Sequence, residues 1–146
     1  MNAFATFLAV TAGLAGSVQV AVMARLGDRV GVFAALAWAT ILTALLAVGL
    51  LAVARQGVGG IAHAARQPVW LWTGSLLSLL IVFTITYSGS RLGVVATVAI
   101  LIAGQLLMGA LIDRFGLFGV ERVGLAWPRV LGIALLAVGA ALTLKR

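Results

Sequence analysis

Few side chains in this 146-residue chain could do chemistry, and those few lie inside or at the ends of long apolar stretches. Gln105 sits near the middle of the stretch from Val94 to Ile112. Its amide offers two donors and an acceptor oxygen, able to hold a polar solute or a carbonyl on a neighbouring helix. Helical spacing puts Met108, Gly109 and Ile112 on the same face, a slot with one small residue. Gln19 lies a few residues inside the end of the first stretch, Trp38 near the start of the second, and Thr84 and Tyr87 late in the third. If the chain alternates direction, these four fall at a similar depth. Polar groups in a bilayer are costly unless satisfied, so Gln19, Trp38, Tyr87, Gln105 and Met108 are the candidates for contact with a small solute. The other reading is interhelical hydrogen bonding by the amides, with the Trp38 indole facing lipid or filling a helix gap rather than forming a pocket wall or cation-π platform.

Asp113 is the one acid attached to an apolar stretch. It can titrate or gate one end, for which it stands as the candidate coupling group, or pair with Arg114 or Arg129 at the interface, which is the commoner use of such a carboxylate. Asp28 and Glu121 read as loop charges, and His63, between Ala62 and Ala64, as a solvated ring. No catalytic residue emerges. The chain offers no nucleophile beside a base and no phosphate-binding loop, and with one His and no Cys it offers no metal cluster, so the expectation is a non-enzyme without metal or cofactor.

The elements that must position these residues are transmembrane helices. A hydrocarbon core of about 30 Å takes roughly 20 helical residues, and five stretches approach that length: about 3–23, 32–54, 69–87, 94–112 and 128–144. With 64% hydrophobic and 9% charged residues, the chain leaves no room for a soluble domain, and the expected fold is a single all-α integral membrane domain of five helices. The first stretch lacks a preceding Lys or Arg and runs too long for a signal-peptide core, so it reads as a retained span. Pro68 suits a first helical turn, and Trp70, Trp72 and Trp127 stand at span starts, as interfacial indoles do. A net charge of +7 would suggest nucleic acid in a soluble protein, but here the cations sit singly at the ends of apolar segments. The partner is therefore the lipid bilayer and not nucleic acid.

Loops this short obey the positive-inside rule, so Lys and Arg should set orientation. The side bearing the N-terminus carries Arg55, Arg66, Arg114, Arg122 and Arg129, and the other carries Arg25, Arg29, Arg91, Lys145 and Arg146. That balance predicts insertion in both orientations, unless one loop escapes the rule and a single orientation wins. Small residues mark contact faces in lipid: Gly132 and Gly139 lie seven apart with Ala140 beside them, and Ala99 and Ala103 form a small-xxx-small pair. These faces suit packing within one subunit or between two. Two oppositely inserted copies would reproduce the inverted-repeat plan of many secondary transporters.

Gly16-Ser17-Val18-Gln19 with Ala24-Arg25-Leu26-Gly27, Ala103-Gly104-Gln105-Leu106-Leu107 leading into Leu111-Ile112-Asp113-Arg114-Phe115-Gly116, and Arg129-Val130-Leu131-Gly132 form a set of runs along the chain. With them the chain resembles, over essentially its whole length, the YdcZ-like proteins of the drug/metabolite transporter superfamily. The resemblance implies a five-helix half-transporter of the bacterial inner membrane, working as an antiparallel homodimer, beside an oppositely oriented paralogue, or as a fused ten-helix protein. One departure is Met23, where the family would have Asn after the first-span Gln. Small multidrug exporters exchange protons for cations through a mid-span carboxylate, and no span here has an Asp or Glu at its middle. A neutral, zwitterionic or anionic metabolite is therefore the expected solute of a secondary transporter. The alternative function is a non-transporting subunit that assembles with another membrane protein.

The missing cysteines make orientation measurable. A single Cys placed after Arg146 and labelled in intact cells with an impermeant maleimide is expected to react from outside in about half of the molecules. Labelling that is nearly complete or nearly absent would mean one fixed orientation.

Overall fold

The computed structural model describes residues 2–54, 59–124 and 126–144. Among these, every regular element is helical: α1 (Ala3–Val30), α2 (Val32–Val53), α3 (Gly59–Ala64), α4 (Thr73–Leu92), α5 (Val94–Phe115) and α6 (Trp127–Thr143), with 3-10 turns at Val69–Trp72 and Leu117–Gly119. Four segments are long and apolar enough to cross a membrane, Ala3–Val30, Val32–Val53, Val69–Leu92 and Val94–Phe115, while α6 has 17 residues. At ~1.5 Å per residue α6 measures about 25 Å, a little short of the hydrocarbon core.

The helices overrun the ends expected from hydropathy. α1 continues past Met23 through Arg25, Asp28 and Arg29, so Asp28 stands in a helical turn and not in a loop. Ala24, Arg25 and Leu26 favour helix, and a helical backbone near the membrane keeps its amides bonded. The helix stops at Gly31, whose φ of 89° is a conformation L side chains rarely adopt. Gly31 donates its N–H to Gly27 O at 2.9 Å and its own carbonyl accepts from Ala35 N at 3.0 Å, so a single residue ends one helix and starts the next. Gly93, at φ 84°, stands between α4 and α5 with its carbonyl accepting from Thr97 N at 3.1 Å, and the 88–92 segment expected as a loop is helical. α5 runs three residues beyond Ile112 and is capped by Gly116 in the left-handed region. The polar connection around His63 contains the six-residue α3. His63 is exposed, with Nε2 3.0 Å from the Gln67 amide. Arg55, Gln56, Lys145 and Arg146 lie outside the described residues.

The chain divides into two compact units, residues 1–21 with 91–146, and residues 22–90. In the second unit α1 meets α4 where Gly27 faces Thr86. Thr86 is 1% exposed, and its hydroxyl donates to Val82 O at 2.7 Å, which satisfies it without water. Met23, Ala24, Ala35, Leu36 and Ile85 are buried in the same unit. In the first unit α5 packs on α6, and Val20, Ala96, Thr97, Ala110 and Ala140 are buried. Most other Leu, Val, Ile and Phe side chains are exposed, as lipid-facing residues must be.

A Cβ at Gly27 would stand 2.8 Å from Thr86 Cγ2, the tip of a short side chain that is stiff at χ1. Gly27→Ala is therefore expected to destabilise the protein by about 1–3 kcal/mol. Adding Thr86→Ser, which deletes that methyl and keeps the hydroxyl, should recover most of the loss in thermal unfolding in detergent.

Candidate functional site

Within the first unit, α5 and α6 leave between them a cavity of about 280 Å³ lined by Gln105, Leu106, Gly109, Ala110, Arg129, Gly132, Ile133 and Leu136. One helical turn separates Gln105 from Gly109, so the amide and the bare backbone face the same space. Arg129 enters from the first turn of α6, after Trp127 and Pro128, where proline's fixed φ suits a helix start. No atom lies within 4 Å of where a Cβ would stand at Gly109 or Gly132. The space is open on both helix backbones. No hydrogen bond joins the Gln105 side-chain amide to another described residue.

Arg129 Nη2 donates to Asp113 Oδ2, tying the start of α6 to the end of α5. The two side chains are 43% and 24% exposed, so this is an interfacial pair. The segment between them folds back on α5: Val123 donates its N–H to Asp113 O at 2.9 Å, bonding one of the last carbonyls of the helix. Gly116 is required there twice over, by its φ of 66° and because a Cβ would stand 2.7 Å from Arg122 Cγ.

The structure distributes the sequence candidates unequally. Gln105 and Gly132 share the α5–α6 cavity, together with Arg129, for which the sequence suggested only an anchor or an ion pair. Met108, expected on the Gln105 face, is 55% exposed and outside the cavity lining, as is Ile112. Gln19 is exposed on α1 in the first unit. Trp38 and Tyr87 belong to the second unit. Tyr87 stacks on Phe83 with centroids 6.0 Å apart, and Phe83 meets Phe33 at 5.8 Å, while Trp38 is 60% exposed. The four-residue spacing of Phe83 and Tyr87 carried the signal for that stack; the approach of Phe33 did not show in sequence. Thr97, 2% exposed with an unpartnered hydroxyl, was likewise missed, because a threonine in an apolar run usually bonds its own helix.

The small residues expected at packing faces line open grooves in the first unit. Ala99 and Gly139 border one of about 480 Å³ with Ser17 and Thr143, and Ala103 borders one of about 410 Å³ with Ala137 and Ala141. No atom approaches within 4 Å of a Cβ position at Gly132 or Gly139. Among the described residues, no group of His, Cys, Asp and Glu could hold a metal ion.

Residues 4–142 match the family described as "Putative inner membrane exporter, YdcZ". The chain belongs to this family. Inner membrane protein YdcZ of Escherichia coli (strain K12) is 34% identical over 94 residues, which cover 63% of this chain and 62% of that protein. The match thus spans less than two thirds of the relative's length. No solved structure matches the chain. With several apolar helices of spanning length, this YdcZ-family chain is a multi-pass protein of the bacterial inner membrane. The family description is that of an inner membrane exporter.

The Asp113–Arg129 pair has solvent access, so its coupling should be modest. A double-mutant cycle with Asp113→Asn and Arg129→Gln, read by thermal unfolding, is expected to give about 0.2–1 kcal/mol.

Proposed function

We propose that this chain is half of a secondary transporter that exports a small polar metabolite by alternating access. In this reading α6 is the fifth span, and two copies inserted in opposite orientations complete the pathway. The observation that carries it is the Gln105 amide, which opens on a cavity between two apolar helices and has no hydrogen-bond partner among the described residues. Such a group in the bilayer needs a solute, water or a second subunit to satisfy it. Gln19, in the same unit, is a further candidate for solute contact in this reading, Trp38 and Tyr87 remain candidates within the second unit, and Asp113 holds Arg129 at the cavity.

Two features support pairing with a second copy. The equal division of Lys and Arg between the two sides gives little preference for one orientation. The Gly132 and Gly139 face of α6 is uncovered, and small residues in lipid let a second backbone approach closely. A paralogue of opposite orientation would serve the same geometry. The absence of a mid-span carboxylate favours a neutral, zwitterionic or anionic solute over a cationic drug.

The competing reading, a non-transporting subunit, makes Gln105 a clasp between subunits. Cells expressing Gln105→Ala are expected to release at least tenfold less of whichever metabolite accumulates outside cells expressing the unaltered chain, with the yield of cross-linked dimer unchanged. Loss of the dimer would mean that the amide is a clasp.

A further inference from the structure

Resting on that reading, we infer that the α5–α6 cavity is a subsite for a small solute carrying a carboxylate at one end of a short apolar body and a neutral hydrogen-bonding group at the other. Arg129 holds the carboxylate, and Gln105 holds the neutral group. Three features of the cavity point to this chemistry.

The first is charge. Arg129 is the one cation lining any of the three cavities described above. It stands in the first turn of the 17-residue α6, where the positive end of the helix dipole adds to its field. Asp113 Oδ2 accepts from Nη2, but a guanidinium has five N–H donors and its fork matches a carboxylate in plane. A solute carboxylate can share Arg129 with Asp113, and the ion pair then keeps the guanidinium at the cavity mouth.

The second is the alternation of chemistry along the groove. Leu106, Ala110, Ile133 and Leu136 give the cavity apolar walls, and Gln105 stands about 12 Å of helix before Asp113, the residue that holds the guanidinium. A solute charged along its whole length would strand polar groups against those walls, which is costly without hydrogen bonds. One polar group at each end of an apolar body avoids that cost.

The third is size. At ~30 Å³ per water, a cavity of about 280 Å³ holds on the order of nine waters. That lies just below the usual range of ligand pockets and suits a metabolite of about ten non-hydrogen atoms better than a drug-sized molecule.

The test uses the full chain in phosphatidylcholine nanodiscs with 15N-labelled arginine, following the side-chain signal that disappears in Arg129→Lys. The probes are 4-hydroxybenzoate, 4-hydroxybenzamide, which lacks the charge, and benzoate, which lacks the hydroxyl. All are rigid, and the acid and the amide have the same number of non-hydrogen atoms. 4-Hydroxybenzoate is expected to shift the Arg129 signal saturably, with at least tenfold tighter apparent affinity than the amide. Gln105→Met should reduce its affinity to that of benzoate and leave benzoate itself unaffected. Equal affinity for the acid and the amide, with Gln105 still required, would overturn the carboxylate assignment and leave the solute pathway standing. No Gln105-dependent binding of any probe would overturn both. A carboxylate can also come from the bilayer, as a fatty acid. A shift produced by oleate in the nanodisc but not by 4-hydroxybenzoate would overturn the solute in favour of a lipid.

Discussion

In a bilayer no water waits to bond an exposed peptide group, and that constraint shapes this molecule from end to end. Helices run past the points where charge appears, because ending a helix leaves carbonyls unbonded. α1 carries Arg25, Asp28 and Arg29 in its last turns, and α4 carries Arg91. The breaks at Gly31 and Gly93 are made by single residues with positive φ, where a side chain would be strained.

The same constraint governs the side chains. Thr86 satisfies its hydroxyl within its own helix, as Thr40 and Thr84 do. Gln105 is too long and too polar to be treated in that way, and it opens on a cavity instead. The cavity exists because α5 and α6 present glycine at Gly109 and Gly132 beside the larger Leu106, Ile133 and Leu136.

Asp113 and Arg129 join the two helices at the rim of that space. The hydrogen bond from Val123 to the Asp113 carbonyl and the Gly116 cap return the chain to the start of α6. A local turn thereby brings a guanidinium to the lining of the cavity that also holds an amide 24 positions earlier in sequence. This is an economical way to put one charge and one neutral polar group around an apolar slot.

Hydropathy and charge spacing by themselves determined that the chain is helical, that it belongs in a membrane, and roughly where each apolar segment lies. These properties depend on length and composition, which the bilayer reads residue by residue. The family resemblance was also visible in the Gly104-Gln105 and Asp113 to Gly116 runs. Helix ends were not legible, because Arg and Asp tolerate helix well and the true stops are isolated glycines among many. Gln105 was legible as an oddity; its pairing with Arg129 across one cavity was not, and neither was the exclusion of Met108 or the ring contact of Phe33 with Phe83. Those depend on how two helices are rotated and staggered against each other, and helical periodicity places a residue on a face without saying what that face meets.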